Sequence, residues 1–192
     1  MSNSTNHNLL KIGNRVLKIG GRVLTRAPEL DYVKIGNQTW MSKNLAIDDG
    51  QRGIYTQTVN YGQGNVVEYY YDWNAAVRVA ATVQGWHLPT PAEWDALAET
   101  VGGSSTAGTK LKTTYGWTSG NGTDDYGFAA FPAGSQNSGS FIDLGRSANF
   151  WTATEYSYSN AHYRLFRTGA SMFSYLGNKS RGYSVRLVKD SE

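Results

Sequence analysis

The residues that could do chemistry in this sequence are few. Asp124 and Asp125, with Asn121 just before them, gather hard oxygen donors in one Gly-rich stretch, and calcium takes six to eight such oxygens in flexible loops. The same residues suit a turn closed by side-chain-to-backbone hydrogen bonds, and the turn is the reading adopted. Glu93 and Glu155 are the carboxylates that a hydrolase would need paired in a cleft. Glu93, however, stands three residues after Thr90, with Pro91 between, which is a helix-capping box, and Glu155 reads as a structural acceptor. His7, His87 and His162 lie far apart with no zinc spacing. The sequence holds no cysteine, so disulfides, thiolate metal sites and cysteine nucleophiles are excluded together. No catalytic residue, metal or cofactor is expected, and the chain reads as a non-enzyme.

A different signal lies between residues 156 and 182. There 14 of 27 residues are Tyr, Ser, Asn or Gly, and Arg164, Arg167, Lys179 and Arg181 stand without any Asp or Glu. That segment carries +4 while the whole chain carries +3, so the positive charge is local. Tyrosine offers a large amphipathic contact area with few torsions to freeze, and Ser, Asn and Gly add adaptable hydrogen bonding, the mixture that antibody loops use. Local positive charge suits an acidic glycan, a nucleic acid or a solvated face. With aromatics interleaved and no nucleic-acid motif, nucleic acid is set aside.

The elements that position this segment follow from local pattern. At 192 residues the chain is sized for one domain and an arm. The arm, residues 1–30, holds a seven-residue repeat, Lys11 to Leu17 and Lys18 to Leu24, which suits two short strands or a hairpin, and Pro28 ends it. It is read as an attachment or homo-oligomerisation arm. From Asp31, Tyr32–Ile35 and Gln38–Met41 flank Gly36-Asn37 as a hairpin. A first short helix is predicted after Asp72, with Ala76, Val77, Ala80 and Ala81 on its apolar face, and a second from Pro91, with Trp94, Leu97, Ala98 and Val101 inward and Gly102-Gly103 as its stop. Beyond residue 103 no helical period is found and long structured loops are expected. Tyr183 to Val188 alternates as a strand with Tyr183, Val185 and Leu187 on one face. The class is α+β, with two helices, small antiparallel sheets and long loops. No run approaches the ~18 apolar residues of a membrane span, and Lys11, Arg15, Lys18 and Arg22 interrupt what a signal peptide keeps unbroken. No signal peptide and no membrane insertion are therefore expected.

Five ordered blocks carry a resemblance: Gly36 to Leu45, Gly85-Trp-His-Leu-Pro-Thr-Pro-Ala-Glu-Trp94, Gly122 to Phe128, Phe150-Trp-Thr-Ala-Thr-Glu155 and Gly182-Tyr-Ser-Val-Arg-Leu-Val188. Together they resemble the Fibrobacter succinogenes major paralogous domain over residues 31–190, which implies residues 31–192 as a C-type-lectin-like ligand-binding domain of the formylglycine-generating-enzyme type. The oxidases of that branch use paired cysteines, absent here, and the tripeptides of calcium-dependent lectins (Glu-Pro-Asn, Gln-Pro-Asp, Trp-Asn-Asp) do not occur. Neither activity is expected.

The C-terminal layout also resembles variable proteins diversified by retroelements: a fixed Trp-rich block, substitutable positions, then a fixed closing strand. This resemblance implies a ligand surface made by Tyr156, Tyr158, His162, Tyr163, Leu165, Arg167, Ser171, Phe173, Tyr175, Leu176, Asn178 and Arg181, with Ala161, Arg164, Phe166 and Lys179 as support. The expected partner is a receptor or glycan on a bacterial surface. The expected setting is a virion, as a phage tail-tip adhesin, with a bacterial cell-surface or pilus-associated protein and a purely structural assembly domain as alternatives.

Overall fold

The computed structural model describes residues 30–191 and, before them, four two-residue strands. Two compact units result, Met1–Leu30 and Asp31–Glu192. In the first, β1 (Lys11–Ile12) pairs antiparallel with β2 (Arg15–Val16), and β3 (Lys18–Ile19) with β4 (Arg22–Val23), so each copy of the repeat forms its own small pair. His7 and Pro28 lie outside the described residues.

The second unit is α+β, with three helices and several small antiparallel sheets. β5 (Tyr32–Ile35) and β6 (Gln38–Met41) form the expected hairpin, with Ile35 opposite Gln38 and Gly36 at φ +60°. β7 (Ile54–Asn60) and β8 (Asn65–Tyr71) form a second hairpin, followed by α1 (Trp73–Ala80). β9 (Trp86–His87) leads to α2 (Pro91–Thr100) and α3 (Ser104–Leu111). The short pair β10 (Ser135–Asn137) and β11 (Ser140–Ile142) precedes a three-stranded sheet of β12 (Ala148–Glu155), β13 (Asn160–Phe166) and β14 (Met172–Asn178). The last strand, β15 (Val188–Lys189), returns between β6 and β9 to complete the sheet β5-β6-β15-β9. No helix among the described residues is long and apolar enough to cross a membrane.

α2 begins as its sequence dictates. Thr90 Oγ1 accepts from Glu93 N at 3.3 Å, and Glu93 Oε2 accepts from Thr90 N at 2.7 Å, the reciprocal pair that satisfies two N-terminal donors. Trp94 then enters the core against Trp40 (ring centroids 4.8 Å apart), Phe150 (5.5 Å), Phe128 (5.8 Å) and Phe166 (6.4 Å). This aromatic hub joins the first sheet, α2 and the β12-β13-β14 sheet.

Three local expectations need correction. The buried face of α1 is Ala75, Ala76, Val79 and Ala80, and the expected Val77 and Ala81 are exposed. Asp72 fixes that rotation by accepting from Ala75 N at 2.7 Å. α3 was not expected, because Ser104, Ser105, Thr106 and Gly108 are weak helix formers. Tertiary contact overrides that weakness: a Cβ at Gly108 would meet Ala170 O at 2.6 Å, so the missing side chain is what lets the helix backbone reach the loop before β14. Finally, of the expected Tyr183–Val188 strand only Val188 lies in one, β15, and 182–187 is no regular strand. It threads the interior through isolated bridges to Tyr71, Gln136 and Phe150, and every residue from Gly182 to Val188 is buried, Ser184 and Arg186 included.

His87 ties the C-terminal strand to α2. Its Nδ1 lies 2.6 Å from Asp190 Oδ1 and its Nε2 2.7 Å from Glu93 Oε1, and only the doubly protonated ring donates to both. Burial opposes the charge, but the two carboxylate hydrogen bonds outweigh it and hold the His87 pKa above 6.5. A group with a raised folded pKa stabilises fully below its unfolded pKa and loses that contribution as pH rises through the folded value. The thermal midpoint should therefore fall as pH climbs from about 6.5 past the raised His87 pKa. His87→Gln should flatten that fall; an unchanged slope by differential scanning fluorimetry would show that the His87 pair contributes nothing.

Candidate functional site

The sheet β12-β13-β14 carries most of the segment singled out in sequence. Successive side chains of a strand point to opposite faces, and the register sorts them: Tyr163 stands opposite Tyr175, and Leu165 opposite Phe173, while His162 stands opposite Leu176. The expected ligand residues thus divide between two faces.

On one face an aromatic series runs from core to surface. Buried Trp151 packs on Tyr183 at 4.3 Å, Tyr183 on half-buried Tyr163 at 4.7 Å, Tyr163 on Tyr175 at 6.0 Å and Tyr175 on Phe173 at 6.1 Å. Tyr175 and Phe173 are 49% and 39% exposed, so the outer end of the series is open to a partner. Burial pushes the Tyr183 hydroxyl up to about 12, with Tyr163 adding to the shift, and pushes Tyr163 upward as well. The Tyr183 hydrogen bond opposes the Tyr163 shift, as do the charges of Arg181 and Arg167. Leu165 shares the parity of this face but is 3% exposed, and it is withdrawn as a ligand residue: it fills the floor between Asn149 and Phe173.

The opposite face holds His162 and Leu176, with Tyr156 edge-on to the His162 ring at 5.8 Å. Farther along that face Arg164, Phe166 and Met172 are buried. Tyr158, in the β12–β13 turn, is 97% exposed. It borders a cleft of about 540 Å³ with Trp73, Glu155 and Lys179. Asn178 closes the following turn by accepting from Ser180 N at 3.0 Å and Ser180 Oγ at 2.8 Å, and Ser171 is half-buried before β14.

The four supporting residues hold the sheet in place. Ala161 and Phe166 are fully buried. Arg164 donates from Nη1 to Ser174 Oγ at 2.7 Å and from Nη2 to Pro91 O at 2.8 Å and Asp95 Oδ1 at 2.6 Å, tying the strand to the first turn of α2. Lys179 pairs with Glu155 and lies over the Trp73 ring at 4.5 Å. Two of the four local cations are thereby matched by acids outside the segment, which leaves Arg167 and Arg181 as its free charges among the described residues.

The possible chemistry falls to structural use. Asp124 sits at φ +49° and accepts from Ala129 N at 2.7 Å, and Asn121 Oδ1 accepts from Trp117 N at 3.2 Å, so these residues close turns. Among the described residues no three of His, Asp or Glu gather as metal ligands. One buried carboxyl escaped sequence reading: Glu68, pushed up by burial, accepts from Asn44 Nδ2 at 2.9 Å, and Asn44 Oδ1 in turn accepts from Arg186 Nε at 2.8 Å.

Arg186 links three of the five sequence blocks. From the last block it donates to Met41 O of the first block at 3.0 Å, to Phe128 O of the third and to Ala129 O at 2.7 Å. The model of the Fibrobacter succinogenes major domain matches residues 33–189. The chain belongs to that family. In this Fibrobacter succinogenes major domain the matched region takes in all three helices, the β12-β13-β14 sheet with its aromatic face and, from Val33 on, the β5-β6-β15-β9 sheet. No curated protein and no solved structure matches the chain.

Proposed function

We propose that this domain is a non-enzymatic ligand-binding protein, an adhesin or receptor-binding module, built on a C-type-lectin-like scaffold and displaying a variable C-terminal surface. The observation that carries this reading is the aromatic series ending in exposed Tyr175 and Phe173, anchored through Tyr163 to buried Trp151 and Tyr183. Rings held from beneath bind with little torsional entropy left to lose. Ser174 and Leu176 beside them are exposed as well, and exposed positions are those that retroelement diversification would exploit. The partner in this reading is a receptor or glycan on a bacterial surface, and the setting is a phage tail tip or a bacterial surface.

The test is binding of the whole chain to arrays of glycans and bacterial surface extracts, beside the triple variant Tyr158→Ala, Phe173→Ala, Tyr175→Ala. Each ring is exposed, so folding should be retained. Truncating a central aromatic commonly costs about 2 kcal/mol of binding, so a loss well beyond tenfold is expected. Equal binding by both proteins would move the site elsewhere.

A second reading rests on β14, which is an edge strand with Phe173, Ser174, Tyr175 and Leu176 all exposed. Such an edge is a template for pairing with another chain. In that assembly reading the wild type forms oligomers by sedimentation, the triple variant is monomeric, and no external ligand is found.

A further inference from the structure

We propose that the cleft beside Arg167 is an anion subsite, and that the ligand of the aromatic face is an acidic saccharide. This deepens the binding reading above and rests on it.

The cleft, of about 440 Å³, opens between three loops distant in sequence, and Thr118, Ser119, Asp143, Arg146 and Arg167 line it. Arg146 and Arg167 are exposed and make no ion pair or side-chain hydrogen bond among the described residues. Two guanidiniums therefore face one carboxylate, that of Asp143, across a concave surface. Behind the cleft lies a third cation, Lys112, which is buried and makes no ion pair among the described residues. Its ammonium donates to Gly120 O at 2.5 Å, Arg167 O at 2.9 Å and Gly169 O at 2.9 Å, and stands over the Trp117 ring at 4.7 Å. The local field is positive from both sides of the wall.

The walls are also fixed in advance. Lys112 stitches the loop at 120 to the loop at 167–169, and Thr118 donates from N and Oγ1 to Gly145 O at 2.8 Å and 3.1 Å, stitching the third. A Cβ at Gly120 would lie 1.9 Å from Thr168 O, and one at Gly145 3.0 Å from Thr118 Cγ2. Because the loops that carry the two arginines are already fixed, binding an anion orders two side chains but no backbone.

Position decides the ligand class. Arg167 lines the cleft and directly follows β13, the strand that carries Tyr163, so the subsite lies at the end of the sheet that bears the aromatic face. A ligand spanning both needs an anionic group for the arginines, hydroxyls for the Ser and Thr side chains, and an apolar ring face for Tyr175 and Phe173. An acidic sugar supplies all three. The shared chemistry is a carboxylate or a sulfate or phosphate ester on a glycan.

The experiment uses the full chain against an array of uronate-bearing, sulfated and phosphorylated oligosaccharides, each with its methyl-esterified, desulfated or dephosphorylated counterpart. An acidic member should bind at least about tenfold more tightly than its neutral counterpart, and Arg146→Gln or Arg167→Gln should each remove about tenfold. Affinity should fall with salt while both variants keep the wild-type melting temperature. Equal binding of acidic and neutral forms, or unaltered binding by both variants, overturns the inference. So does preference for a protein in surface extracts that neither arginine influences. If that binding is still lost in Phe173→Ala, Tyr175→Ala, the aromatic reading survives and only the anion subsite fails. If the acid preference stands while the aromatic variant binds normally, the reverse holds.

Discussion

Replacing Arg186 by Met is expected to remove most of the stability of this domain. The guanidinium is fully buried, and it donates to Met41 O, Phe128 O, Ala129 O and Asn44 Oδ1 while lying over the Phe128 ring at 4.7 Å. Burial lowers its pKa to about 9, and the charges of Glu68 and Asp124 oppose that fall. Methionine fills much of the volume but leaves three carbonyls and an amide without a donor, and leaves Glu68 facing no cation. Breaking such a buried charged network costs about 3–5 kcal/mol. At about 2–4 °C per kcal/mol for a chain of this size, the thermal midpoint should drop by roughly 10 °C or more. Arg186→Lys should fall between, because one ammonium keeps the charge but cannot span the fork. Melting of Arg186→Met within about 2 °C of wild type would mean that the freed carbonyls find other donors and that the network contributes little to stability.

The same residue shows where sequence reading stops. Within Gly182 to Val188 the alternation placed Tyr183, Val185 and Leu187 inward, and they are buried. It left Arg186 outward by default, since a lone cation among apolar residues reads as the solvated face of a strand. Nothing local reveals that three backbone carbonyls, 58 and 145 residues away for two of them, converge on it. α2 was legible because Thr90, Pro91 and Glu93 encode its start within four residues. α3 was not, because what stabilises it is the approach of Gly108 to Ala170, a tertiary contact.

The candidate site divides in the same way. The segment 156–182 stood out by composition, and within it Ala161, Arg164 and Phe166 are buried while Arg164 and Lys179 make ion pairs. Strand parity was hidden, because β13 buries a cation, Arg164, and leaves His162 partly open, so hydropathy does not follow burial there. Hence the sequence pattern puts Leu165 with the ligand-facing residues although it lies in the floor, and it merges residues of two faces into one surface. Arg146, Thr118 and Ser119 had no sequence signal, since the cleft is assembled from three separate loops.

Trp94→Ala is the other change with a large expected effect, and it connects the core to the display sheet. Trp94 is fully buried at the centre of Trp40, Phe128, Phe150 and Phe166. Truncation removes one of the two indoles of the hub, and neighbouring aromatic rings cannot collapse into the space, so a cost of about 3–5 kcal/mol is expected by urea denaturation. Trp94→Phe should lose less than half of that, because the indole N–H has no hydrogen-bond partner and its removal relieves a buried orphan donor. The effect should reach the surface. One residue after Trp94, Asp95 holds Arg164, and Arg164 holds Ser174 between Phe173 and Tyr175. A loosened α2 therefore frees β14, and amide exchange across Phe173 to Leu176 should accelerate in Trp94→Ala but not in Trp94→Phe. Equal protection in both would mean that β14 draws its order from pairing with β13 alone, so that the aromatic face and the core are energetically independent.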